Sequence, residues 1–199
     1  MKVEGIVLAA GLGTRLGQVK PLLLVDGIPT LARVIATLRE ASIERIVVVL
    51  GSAAEEIRRG VDLSSCRVVV NPDYAFGLSG SLRAGIACLA PDTEGTLVVH
   101  ADLPWLSPAT IRAVLARAEA GATLARATHR GLPGFPVFLH RSTLAGLLPT
   151  LSGDHGAREY LAQHRADVVQ VEVDDPGAVL DVDRPEDVAE LALGRRRAR

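Results

Sequence analysis

With 199 residues, 48% of them hydrophobic, the chain is long enough to close one full-sized core. A formal net charge of −1 supplies no field to attract a polyanion, and 3% aromatic content is too little to stack single-stranded bases. Cys66 and Cys88 form no metal-binding or redox pair, no apolar run is long enough to cross a bilayer, and Met1-Lys2-Val3 leads into a strand-like segment without an apolar leader. The expectation is a cytoplasmic protein with neither nucleic-acid nor membrane partners.

Strand-like and helix-like segments alternate along the chain. Residues 5–9, 45–50, 67–70 and 96–100 are short β-branched runs, nearly continuous in apolar character, as suits strands covered on both faces. Between them, Leu31, Val34, Ile35 and Leu38 share one helical face, as do Ile111, Val114, Leu115 and Ala118. This order predicts βαβ units with right-handed crossovers, and hence a three-layer, Rossmann-like α/β fold with a mostly parallel sheet. The second half is less regular. Residues 122–128 and 136–140 read as strands flanking a turn-rich segment, 130–134. Residues 143–148 and 156–163 read as helices, 167–173 as a strand, and 185–193 as a helix opened by Pro185. No repeat or break in composition divides residues 1–199, so one domain is expected. The basic residues 195–199 read as a solvated tail, or alternatively as an arm for an anionic ligand.

The first strand runs into Leu8-Ala9-Ala10-Gly11-Leu12-Gly13-Thr14-Arg15-Leu16-Gly17-Gln18-Val19-Lys20. Gly11, Gly13 and Gly17 let the backbone turn sharply and bring its N–H groups close to an anion, and Arg15 and Lys20 add fixed positive charge. A dinucleotide fingerprint is excluded because the third glycine comes one residue late, and a Walker loop because Val19 precedes Lys20. A glycine-rich turn without a ligand is the alternative, but it leaves Arg15 and Lys20 unexplained.

Asp102 stands where the apolar run of residues 96–100 gives out, a position facing the ligand crevice of a doubly wound sheet. Mg²⁺ takes few carboxylates alongside substrate phosphates and water, so a lone aspartate opposite a phosphate loop suits it. The alternative is a turn aspartate capping the helix that begins near Ser107-Pro108. His100, two residues earlier, reads as a hydrogen-bonded strand-end histidine. In Leu180-Asp181-Val182-Asp183-Arg184-Pro185, alternation puts Asp181 and Asp183 on one side, and Asp183 is also placed to cap a helix. Asn71 opens a segment, residues 71–85, in which Gly80 and Ser81 lie in a hydroxyl-bearing turn that feeds a helix; helix capping by Ser79 or Ser81 is the plainer reading. Residues 131–138 and 152–158 explain themselves as turns, with Arg158 either an anion contact or a helix-surface arginine.

Taken together, Leu-Ala-Ala-Gly-x-Gly-x-Arg-x-Gly-x-x-Lys at residues 8–20, Asp-x-Pro at 102–104, Asn-Pro-x-Tyr at 71–74 with Gly-x-x-x-Ser-Leu at 77–82, Gly-Asp-x-Gly-Ala-Arg at 153–158 and Asp-x-Asp-x-Pro-Glu-Asp at 181–187 resemble the molybdenum cofactor cytidylyltransferases, a branch of the nucleotidyltransferases. The resemblance spans nearly the whole chain. It implies a nucleotidyltransferase fold in which Leu8, Ala9, Ala10, Gly11, Gly13, Arg15, Lys20, Asn71, Gly80 and Ser81 bind the nucleotide. It also implies that Arg15, Lys20 and Asp102 are catalytic, that Asp102 and Asp183 hold Mg²⁺, and that Pro133, Phe135, Asp154 and Arg158 face the acceptor. Ala10, where the guanylyl branch carries a second glycine, favours CTP over GTP. The implied reaction is transfer of CMP from CTP to the phosphate of a pterin cofactor, with a molybdoenzyme or its chaperone as a further partner. Relatives commonly have histidine at the position of Phe135, so that imidazole contact is not expected here. The alternatives are GTP with the same acceptor, another phosphorylated acceptor, and a noncatalytic carrier of nucleotide or cofactor.

Overall fold

A computed structural model of the chain describes residues 1–11 and 19–182. Gly13, Arg15 and Asp183 of the expected site therefore lie outside the described residues, as do the helix expected at 185–193 and the basic tail.

Seven strands form one sheet. In chain order they are β1 (Val3–Ala9), β4 (Ile46–Leu50), β5 (Arg67–Val70), β6 (Gly95–His100), β7 (Leu124–His129), β8 (Leu132–His140) and β9 (Val168–Glu172); β2 (Leu24–Val25) and β3 (Ile28–Pro29) make a separate two-stranded ribbon. The helices are α1 (Thr30–Glu40), α2 (Ala54–Gly60), α3 (Leu78–Ala87), α4 (Pro108–Glu119), α5 (Arg141–Leu147) and α6 (Arg158–Gln163). Across the sheet the order is β5-β4-β1-β6-β8-β7-β9. All neighbours pair in parallel except β8, which is antiparallel to both β6 and β7. After β1 the chain builds outward through β4 and β5, then returns to add β6 on the other side of β1. The connection after β1 leads toward β4 and that after β6 toward β7, and such a switch point at the carboxyl ends is where open α/β sheets bind ligands.

Alternation along each strand divides the core into two layers. Val7, Ala9, Val48, Leu50, Leu97 and Val99 pack under α1, α2 and α4. Ile6, Leu8, Val47, Val49 and Val98 pack under α3, α5 and α6. Because both faces are covered, these strands need apolar residues at every position, which is why they read as unbroken runs. The expected helical faces are the buried ones: Leu31, Val34, Ile35 and Leu38 in α1, and Ile111, Val114 and Ala118 in α4, with Leu115 at the layer's edge. Among the described residues no helix is long and apolar enough to span a membrane.

The second half departs from the sequence reading in one way that matters. The expected five-residue turn at 130–134 is only two residues long. Arg130 and Gly131, both at positive φ (51° and 75°), make the tight reversal whose twist matches that of flanking strands. Residues 132–134 already belong to β8. The Glu172 carboxylate clamps the turn, accepting from Thr128 Oγ1 at 2.6 Å and from the backbone N–H of Arg130 at 2.6 Å and Gly131 at 3.4 Å. These bonds, led by that of Thr128, hold the Glu172 carboxyl below its ordinary range.

Phe138 of β8 is fully buried, level with Leu97 of β6 and Ala125 of β7. Phe138→Ala removes the largest side chain of that layer and leaves a cavity, so unfolding in urea should show a loss of about 3–5 kcal/mol.

Candidate functional site

The site is built at the carboxyl ends of the paired strands β1 and β6. Their register runs from Val3 opposite Gly95 to Leu8 opposite His100, so both strands end at the same level. One residue on, Ala101 N donates to Leu8 O at 3.0 Å, and Asp102 emerges at the crevice. Val182 N donates to Asp102 O at 2.9 Å, which ties the end of the described chain to the same spot. Leu8, Ala9 and Ala10 are buried floor residues whose side chains belong to the core layers, and Gly11 is the first exposed position beyond them.

Lys20 reaches this point from the far side of the glycine-rich loop. It begins a short 3₁₀ turn, Lys20–Leu22, and its carbonyl accepts from Thr30 Oγ1 at 2.8 Å, which anchors the turn to the start of α1. Its Nζ lies 3.8 Å from Asp102 Oδ2, with 36% and 21% of the two side chains exposed. Burial raises the Asp102 carboxyl above its ordinary range; His100 and Lys20 oppose the shift, and the Asp181 charge adds to it. Burial likewise lowers His100, against the charges of Asp102 and Asp181, which raise it. Asp102 does not cap the following helix. That is done by Ser107, whose Oγ accepts from Thr110 N at 3.1 Å, while Asp175 accepts from Ser107 N at 2.9 Å. The carboxylate is thereby left to the crevice.

The wall on the β4 side is formed by the start of α3. Asn71 is buried; its Nδ2 donates to Ser81 Oγ at 3.1 Å and its Oδ1 accepts from Asp73 N at 3.0 Å. Gly80 packs directly against that amide. Neither serine is the helix cap. The cap position is Gly77, at φ 109°, and Ser79 Oγ instead donates to Ser152 O at 2.9 Å and accepts from Gly156 N at 3.1 Å. Gly77 lies against the Gly153 carbonyl, where no side chain would fit. Asp154, expected on the acceptor side, belongs to this wall: its Oδ1 accepts from Leu78 N at 3.3 Å in the first turn of α3.

Opposite, β8 and α6 form the third side. Pro133 is exposed in the first turn of β8, and Arg158 is exposed at the start of α6. Phe135 is half-buried, with its ring centroid 4.5 Å from that of His100. His100 was read as a hydrogen-bonded strand-end residue; among the described residues its ring instead rests on Phe135. An imidazole thus stands beside Phe135, supplied by the neighbouring strand. The sequence reading also left Asp181 without a role, although its charge bears on both His100 and Asp102. Its signal was the alternation with Asp183, which had already placed the two on one side.

Residues 5–168 match the MobA-like NTP transferase domain family. The chain is 29% identical over 193 residues to the molybdenum cofactor cytidylyltransferase of Escherichia coli (strain K12), covering 93% of each chain. It is also 31% identical over 197 residues to the nicotine blue oxidoreductase of Paenarthrobacter nicotinovorans, covering 95% of this chain and 96% of that one. Among solved structures, Rv0371c of Mycobacterium tuberculosis H37Rv superposes with a TM-score of 0.83 at 28% identity, covering 96% of this chain and 97% of that one, and a second structure of that protein is a complex with manganese. The chain belongs to the MobA-like NTP transferase family and is an enzyme of the nucleotidyltransferase type.

Proposed function

We propose that the protein transfers CMP from CTP to the phosphate of a molybdopterin-type cofactor, in the cytoplasm. The observation that carries this reading is the Lys20–Asp102 pair at the carboxyl ends of β1 and β6, beside a glycine-rich loop. In the reaction an acceptor phosphate oxygen forms a bond to the α-phosphorus of CTP. The bond from that phosphorus to the bridging oxygen breaks, and its electron pair leaves on pyrophosphate. A phosphate nucleophile is already ionised near neutral pH, so no general base is needed. Alignment and charge stabilisation then carry the catalysis.

Lys20 neutralises the triphosphate, together with Arg15 from the loop, and Gly11 and Gly13 allow the backbone N–H groups to approach it. Asn71, Gly80 and Ser81 receive the nucleoside on the α3 wall. Pro133, Phe135 and Arg158 line the acceptor wall, while Asp154 supports α3. A divalent cation fits the donor set. Asp102 is a partly exposed carboxylate 3.8 Å from Lys20 Nζ, and Asp181 bears on it electrostatically. One or two carboxylates with water and substrate phosphates is the usual magnesium arrangement, and Asp183 would be the second protein ligand. Mg²⁺ held there would neutralise charge developing on the phosphoryl oxygens. The manganese complex of Rv0371c supports a divalent ion in this fold.

A second reading takes its support from the oxidoreductase relative. The misplaced third glycine weighs against a dinucleotide cofactor, and the Lys20–Asp102 pair favours phosphoryl chemistry.

The test is pyrophosphate release with Mg²⁺ and molybdopterin or its molybdenum form, comparing CTP, GTP, ATP and UTP. Release with CTP alone is expected. Preference for GTP would move the enzyme to the guanylyl branch, and silence with all four accompanied by NAD(P)H oxidation would favour the second reading. Lys20→Ala and Asp102→Ala should each lower turnover by about two to three orders of magnitude with the circular dichroism of the fold unchanged. The site also opposes stability. Because folding raises the Asp102 carboxyl, stability is full below the unfolded carboxyl value and falls as pH rises through the folded one. In the presence of chelator, Asp102→Asn should therefore melt above the wild type at neutral pH and lose that advantage in acid, even as turnover disappears.

A further inference from the structure

An arginine on the acceptor wall has an unmet donor. Arg126 stands in the middle of β7, level with Val137 of β8 and Gln170 of β9. Leu124, two residues before it, and Val137 opposite it both belong to the layer under α3, α5 and α6, so alternation turns the Arg126 side chain to that face. Its Nε is buried there, and it is the one buried side-chain nitrogen or oxygen among the described residues that has no hydrogen-bond partner. Native interiors satisfy nearly all such donors, and each exception calls for a physical explanation, a bound ion among them.

A second guanidinium bears on the first. Arg158 lies in the first turn of α6, next to Ala157, which packs against the same layer. Burial, and after it the charge of Arg158, holds the Arg126 guanidinium below the ordinary arginine range. Neither arginine forms an ion pair among the described residues. The half-buried Arg126 and the exposed Arg158 repel, and an anion shared between them removes that repulsion. Guanidinium groups meet phosphate through paired N–H donors in a fork that lysine lacks.

The register places this pair on the crevice side of the sheet. Val98 of β6, Val137 of β8 and Arg126 of β7 form one row across three neighbouring strands. One pleat nearer the carboxyl edge of β6, His100 and Phe135 touch, and Asp102 lies beyond them. Adjacent strands are about 4.8 Å apart, so β7 stands roughly 10 Å from β6, a gap that an extended arginine and one phosphate group can span.

We propose that Arg126 and Arg158 together form the receptor for a phosphate group carried by the acceptor, holding it on the β7–α6 wall across the crevice from Lys20. This rests on the transferase reading above only for the identity of the acceptor. Its new element is Arg126, whose place within a strand gives no outward sign of a binding role.

Inorganic phosphate is the probe, titrated without nucleotide or pterin. Millimolar phosphate is expected to raise the melting temperature of the wild type and of Lys20→Ala alike, and to leave Arg126→Met and Arg158→Met unmoved. No rise in the wild type, a rise retained in both arginine variants, or a rise abolished only by Lys20→Ala would each overturn the proposal. In the transfer assay Arg126→Met should raise the acceptor KM at least tenfold while leaving the CTP KM unchanged, and an unaltered acceptor KM would equally reject it. If Arg126→Met does not fold, the exposed Arg158→Met gives the same two readouts. The phosphate titration is independent of CTP and pterin, so the receptor stands or falls separately from the cytidylyl reaction.

Discussion

The parallel pairing of β1 with β6 is the contact on which the site depends. Leu8 opposite His100 brings two strands from distant parts of the chain to a common end, and Ala101 N donating to Leu8 O carries the alignment one residue further. From that level the chain leaves one strand at Gly11 and reaches Asp102 beyond the other. A slip of one residue would turn His100 to the opposite face and bury Asp102 in the α4 layer, because strand faces alternate. The strands that enforce the register are apolar on both sides, and that same apolar surround raises the Asp102 carboxyl. The core that places the group also makes its charge costly, and a cation is the natural remedy.

Much of this was readable from residue types. The β-branched runs at 46–50, 67–70 and 95–100 could be strands of a doubly covered sheet and little else, and the Leu31/Val34/Ile35/Leu38 spacing fixed the inner face of α1. Asp102 was legible as a strand-end carboxylate because the apolar run gives out just before it. What escaped depended on long-range geometry. The two-residue reversal at Arg130-Gly131 was hidden by the further turn-forming residues Pro133 and Gly134, which the structure places inside β8. The role of Asp154 rests on a contact with Leu78 across 76 positions of sequence, and no local pattern announces it. Arg126 was invisible for another reason: an arginine within a strand ordinarily faces water, and only its position opposite Val137 shows that it does not.

Similarity to both a cytidylyltransferase and an oxidoreductase along nearly the full chain shows how little the fold alone decides. The discriminating information lies in a handful of side chains at one edge of the sheet. Lys20 and Asp102 belong to the part built from β1 and β6; Phe135 and the two arginines belong to the part built from β7, β8 and α6. His100 joins the two parts, since it extends from β6 and rests on Phe135.

β8 is the one strand that runs against its neighbours, and its reversal divides labour within the molecule. The half built from β1, β4, β5 and β6 is made of consecutive strand–helix units locked together by parallel registers, where an inserted residue would shift a helix and a ladder at once. The other half ends in a hairpin tip held by the Glu172 carboxylate and opening onto solvent. Hairpin tips of that kind accept changes of length and sequence with little effect on the sheet behind them. One side of the crevice is thereby free to diversify while the other stays constant, so a lineage built on this scaffold can be re-addressed to new acceptors without rebuilding its means of holding a nucleotide.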